Sequence, residues 1–104
     1  MATSTIKDSL YSRIDSNVSI KRGAVANGDS ISLTIPNNNR AFLVTSGGSA
    51  AARGAYILSA TSGGTISQTP VLQASLIGLT FSTNTVTISN SSGVYVNALL
   101  FVYQ

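Results

Sequence analysis

"SSGVYVNALLFVYQ", residues 91–104, closes the chain. Successive side chains of an extended strand point to opposite faces. Val94, Val96, Ala98, Leu100 and Val102 therefore fall on one side, and Tyr95, Asn97, Leu99, Phe101 and Tyr103 on the other. Both sets are largely apolar, whereas a sandwich strand with one wet side alternates apolar with polar. Such a strand is central and covered by a second sheet and a loop, or is ordinary core with some exposed apolar surface, or packs one face on the core and the other on copies of the same chain, which is the favoured reading. The even set is small and aliphatic and suits a dry core. The odd set carries the polar tips of Tyr95, Asn97 and Tyr103, which need hydrogen-bond partners, and is predicted to meet another molecule, foremost a copy of the same chain.

Period two runs backward from this segment through most of the chain. Val18–Ile20 reads as a short strand, and Asn27-Gly28-Asp29 as a turn, because Asn and Gly tolerate positive φ. Ile31, Leu33 and Ile35 alternate with Ser30, Ser32 and Thr34. "PNNNR" (36–40) breaks the pattern, "AFLVTS" (41–46) resumes it, "GGSAAARG" (47–54) is a glycine-bounded loop, and "AYILSA" (55–60) is another strand before "TSGG" (61–64). "TISQ" and "VLQA", on either side of Thr69-Pro70, are one interrupted strand or two. "LTFS" and "TVTIS" flank Thr83-Asn84 as a tight hairpin. Seven or eight short strands with turn signals about every eight to twelve residues predict an all-β antiparallel sandwich, jelly roll or barrel, with the sandwich or jelly roll favoured.

The first residues follow a different period. Ile6, Leu10, Ile14 and Val18 recur every fourth residue, with Lys7, Asp8, Arg13 and Asp15 between them. That spacing predicts a short amphipathic helix, too short to stand alone in water. The expected organisation is an N-terminal helical arm or stem over residues 1–16 and a β-sandwich over residues 17–104. Ile6, Leu10 and Ile14 join the candidate oligomer interface with Tyr95, Asn97, Leu99, Phe101 and Tyr103.

Charge is distributed unevenly. The net charge is +3, and all six basic and three acidic side chains lie at or before Arg53. Residues 54–104 carry none, although ordinary surfaces are about a quarter or more charged. That half is either kept wet by Ser, Thr, Asn and Gln or covered by partners, since charge is depleted at the heart of interfaces.

Chemistry-bearing residues are few. Histidine, cysteine, glutamate and tryptophan are absent, and the acids are Asp8, Asp15 and Asp29 alone. General acid–base and nucleophilic catalysis usually draw on the missing types, as do transition-metal sites. The expectation is a protein that is not an enzyme, with no catalytic residue, cofactor or metal. Gly47–Gly54 lacks the Gly-Lys-Ser/Thr ending and following helix of a phosphate-binding loop. Lys21-Arg22 is the one adjacent basic pair, too little for a basic stripe, so no nucleic-acid partner is expected. No apolar run approaches the roughly 18–20 residues of a membrane span, and the N-terminus lacks the apolar core of a secretory leader.

"NRAFLVTSGGSA" (39–50), "GAYILSATSGG" (54–64) and "NTVTISNSSGVYVNALLF" (84–101) together resemble small β-domains of tailed-phage and prophage tail-fibre or receptor-binding structural proteins, over roughly Ser30 to Tyr103. The resemblance implies a virion component of the tail or surface, made in the host cytoplasm without a signal peptide. It further implies a homotrimer whose partners are a host-surface glycan or other virion proteins. Loops Pro36–Arg40, Gly47–Gly54 and Thr61–Gly64 are the places such a glycan would meet. A monomeric carbohydrate-binding module, with Tyr11 or Tyr56 as its aromatic platform, and a capsid decoration protein are the alternatives.

Overall fold

The computed structural model describes residues 18–104. The helix expected over residues 1–16, and with it Ile6, Leu10 and Ile14, lies outside the described residues. Eight strands follow: β1 (Val18–Val25), β2 (Ser30–Thr34), β3 (Arg40–Gly47), β4 (Gly54–Ala60), β5 (Ile66–Leu72), β6 (Ile77–Ser82), β7 (Thr85–Asn90) and β8 (Val96–Tyr103). They form two antiparallel sheets, one of five strands in the order β1-β8-β3-β4-β5 and one of three in the order β2-β7-β6. The all-β sandwich expectation holds at this level. Its division is unequal, because β3, β4 and β5 continue as a meander in one sheet.

Two sequence boundaries are corrected. The first strand does not stop at Ile20 but runs to Val25, paired residue by residue with β8 from Val18↔Tyr103 to Val25↔Val96. Thr69-Pro70 does not split a strand. Pro70 stands opposite Tyr56 within β5, on a sheet edge where its missing N–H removes no second ladder.

The turns fall where their residue types predict. Gly28 takes φ 87° between β1 and β2 and donates its N–H to the Asn90 carbonyl at 2.7 Å. Asn38 (φ 63°) returns the chain from β2 to β3, and Asn84 (φ 58°) turns β6 into β7. A single 3-10 turn, Ala50–Ala52, interrupts the loop from β3 to β4, with the Ser49 hydroxyl accepting from the Ala51 N–H.

The core lies between the inner faces. Val96, Ala98, Leu100 and Val102 of β8 are all buried, beside Ala41 and Leu43 of β3 and Tyr56 and Leu58 of β4. Val86 and Ile88 of β7 and Ile77 of β6 close the core from the other layer. The even face of the terminal strand is therefore the dry one, as its aliphatic composition required. Burial of each Val, Leu or Ile side chain in the core contributes about 1.5–3 kcal/mol.

Two buried polar groups test the packing in opposite senses. Asn90 is buried and clasps the β7–β8 connection. Its Nδ2 donates to the carbonyls of Val25 (2.9 Å) and Val94 (2.7 Å), and its Oδ1 accepts from the Ser92 N–H (2.9 Å). Thr45 on β3 is also buried, but its hydroxyl has no partner among the described residues. In urea unfolding, Asn90→Ala is expected to lower stability by about 2–4 kcal/mol, because it strands the buried Val25 carbonyl and removes the part-buried bonds to Val94 and Ser92. Thr45→Val is expected to leave stability unchanged or raise it by about 1 kcal/mol.

Candidate functional site: two unlike outer faces

The two sheets each turn one face away from the core, and the sequence has dressed these faces differently. On the three-stranded sheet the outward residues are Ser30, Ser32 and Thr34 of β2, Thr85, Thr87 and Ser89 of β7, and Gly78, Thr80 and Ser82 of β6. This face is made of hydroxyls and one hydrogen. Ser32 and Thr87 are bonded to each other across the ladder, with 2.9 Å between their oxygens. It is how part of the uncharged half of the chain stays wet without a charge.

The outer face of the five-stranded sheet is apolar at its centre. Directly paired residues share a face of a sheet, and the register sets Ile20, Phe101, Phe42 and Ile57 side by side across β1, β8, β3 and β4. The next row brings Arg22, Leu99, Val44 and Ala55 together, and the row on the other side brings Val18, Tyr103, Arg40 and Ser59 together. No layer of the described chain covers these rows. Ile20 is 50% exposed and Ile57 45% exposed, while Phe42, Val44, Leu99 and Phe101 are half-buried. Contiguous exposed apolar area of this kind marks an interaction surface more often than isolated exposed side chains do.

Of the candidate interface residues, Asn97, Leu99, Phe101 and Tyr103 lie on this outer face through β8, and Tyr95 precedes the strand, 63% exposed. Ile20, Phe42, Val44 and Ile57 complete the patch and were not among the residues expected there. Their signal was the same as that of the terminal strand. In "AFLVTS" and "AYILSA" the outward positions Phe42, Val44 and Ile57 are as apolar as the inward ones. Arg22 and Arg40 flank the central row, one on each side.

The three candidate ligand loops do not meet at one place. Pro36–Arg40 and Thr61–Gly64 come together at one end of the sandwich, where the Asn38 N–H donates to the Thr61 carbonyl (3.2 Å) and the Ala60 N–H to the Asn39 carbonyl (2.9 Å). The Thr83-Asn84 turn locks them. Asn84 Nδ2 donates to the Ile35 carbonyl (2.8 Å) and to Asn37 Oδ1 (2.7 Å), and its N–H donates to the Gly64 carbonyl (2.9 Å). Gly47–Gly54 packs at the other end, where the Ala51 carbonyl accepts from the Leu76 N–H. Tyr56, a candidate aromatic platform, is corrected: it is fully buried, with its hydroxyl accepting from the Ala74 N–H at 3.0 Å. Tyr11 lies outside the described residues. Asp29 stands in the exposed β1–β2 turn, its N–H bonded to the Ala26 carbonyl. Among the described residues no three acidic, His or Cys side chains cluster, and no helix is long and apolar enough to cross a membrane.

No family model matches the chain, and no curated relative matches it. Among solved structures the fold is similar to part of a tailspike protein of the Acinetobacter baumannii bacteriophage Fri1, described as a capsular polysaccharide depolymerase, with a TM-score of 0.58 and 13% identity. The likeness covers 84% of this chain and 17% of that one. The expectation of a protein that is not an enzyme is overturned by this comparison, because the fold occurs within a protein described as one. The argument from missing residue types counted only this chain's side chains, whereas a fold of this size can sit within a much longer catalytic polypeptide.

Gly64 shows how tightly the loop end is built. It takes φ 83°, and a Cβ there would overlap the Asn84 side-chain amide. Gly64→Ala is expected to lower stability by about 2 kcal/mol or more through strain and overlap together. Ser62→Ala, at an exposed position of the same loop, should change it by less than about 0.5 kcal/mol. Denaturant titration of both variants checks the pair.

Proposed function

We propose that this chain is a receptor-binding module of a phage tail, assembled as a homotrimer through the outer face of its five-stranded sheet. The observation that carries the assembly is the contrast between the two outer faces. Both belong to antiparallel sheets, yet one is covered by Ser and Thr and the other presents Ile20, Phe101, Phe42 and Ile57 in one row. A solitary molecule gains nothing from that asymmetry. Packing the row against sister chains removes it from water at about 25 cal/mol for each Å2 of apolar surface. The tail assignment draws support from the tailspike-like fold, and the threefold stoichiometry from the resemblance to tail-fibre proteins.

Assembly also supplies a mechanism. A rigid head that repeats one weak ligand site gains avidity over the single site without any new contact. The chain would act at the virion surface, with a host-surface polymer as the partner of the repeated site.

Size exclusion with light scattering should give about three times the 10.7 kDa chain mass. Ile57→Asp places a charge in the apolar row at a position already 45% exposed, so it should dissociate the assembly while the monomer stays folded. Leu99→Asp and Phe101→Asp should dissociate or unfold it. A monomeric parent protein, or an Ile57→Asp variant of unchanged mass, would remove the assembly reading. Labelled protein should adsorb to host cells and not to the phage shell; the reverse would make it a decoration protein.

A further inference from the structure

The unequal sheets leave a gap that the outer-face reading does not use. Gln68 stands opposite Leu58 and Pro70 opposite Tyr56, so both are on the core side of β5. Both are nevertheless exposed, because the three-stranded sheet ends at β6 and does not reach over β5. Where the two edges come nearest, Thr65 and Ile66 form one wall of an open cavity of about 230 Å3, and Phe81, Ser82 and Thr83 form the other.

We propose that this seam binds one ring of an uncharged saccharide, with the rest of the glycan running along the inner side of β5 past Gln68 and Pro70. The inference rests on the receptor-binding reading and names its ligand class. Four features point to this chemistry. Phe81 and Ile66 are half-buried at the cavity, offering a ring and an aliphatic side chain to the C–H face of a sugar. Thr65 and Thr83 also line the cavity, and neither hydroxyl takes part in the hydrogen bonds formed among the described residues. Hydroxyls both donate and accept, which matches a ligand made of hydroxyls. No charged residue lines the cavity, and β5 carries none, so an anionic sugar would find no counter-charge there. The volume falls below the roughly 300–1,000 Å3 of sites that enclose a drug-sized ligand, which limits the fit to a single ring.

The probes are the methyl glycosides of glucose, galactose and N-acetylglucosamine, their neutral tetrasaccharides, and tetrasaccharides of a uronic acid, titrated into isotope-labelled full chain by NMR. A neutral probe should give saturable shifts confined to Thr65, Ile66, Gln68, Phe81, Ser82 and Thr83. The neutral tetrasaccharide should bind tighter than its monosaccharide, and Phe81→Ala should weaken binding at least tenfold with the solution mass unchanged. Gln68→Ala, at an exposed position that cannot unfold the domain, should weaken the tetrasaccharide and leave the monosaccharide unaffected. Binding by the uronic-acid probe alone, shifts elsewhere, binding of an extended peptide in place of any sugar, or no binding at all overturns the inference. Adsorption to host cells that survives Phe81→Ala overturns it while leaving the receptor-binding reading intact. Saccharide binding at the seam without adsorption does the opposite.

Discussion

The seating of β8 between β1 and β3 is the constraint on which the rest of this structure depends. It is the strand with a ladder on both sides over its full length, from Val96 to Tyr103. Its even side chains are held in the core by the second sheet, and its odd side chains are set at the centre of the opposite face. A one-residue slip in either ladder would exchange the two sets. The core would then receive Tyr103 and Asn97, and solvent would receive Leu100 and Val102. The dry, small, aliphatic even set is what makes one register far better than its neighbours.

From that seating the unlike outer faces follow. β8 brings Leu99 and Phe101 outward, and the strands that pair around it contribute Ile20, Phe42, Val44 and Ile57 in matching rows. The second sheet has no equivalent, since every outward position on β2, β6 and β7 is Ser, Thr or Gly. The edge strand β1 is protected from pairing with a stranger by an inward-pointing charge, a known device at sheet edges. Lys21 faces the core side, opposite Leu100, and reaches across to the Thr34 carbonyl at 2.7 Å. The β1 edge is thus guarded, while the outer face beside it is left apolar.

The ends of the sandwich are held by asparagine. Asn90 ties the β7–β8 connection to the end of β1, and Asn84 ties the β6–β7 turn to the two loops beside it. Each uses its amide nitrogen, which carries two donors, for two acceptors. This is the structural use of a residue type that composition alone presents as loop polarity. The Asn84 tie stands beside the open seam between β5 and β6, where neighbouring Thr83 is part of the cavity lining.

Much of this was legible in the residues. Alternation predicted the strands, Asn-Gly and the other turn residues predicted the breaks, and the two-sided apolar pattern of Ser91–Gln104 predicted that Leu99 and Phe101 face outward. These readings succeed because they rest on the period of an extended chain, which is local. Neighbours across a sheet are not local. Only the tertiary structure decided that Ile20, Phe42 and Ile57 join Phe101 in one row, that Tyr56 is core and not platform, and that Gly47–Gly54 lies at the far end from the other two loops. It also decided that three strands face five, which leaves β5 uncovered. Which strands pair, and how many each sheet holds, depends on long-range packing between segments as far apart as Val18 and Tyr103, and no stretch of the sequence read by itself contains that information.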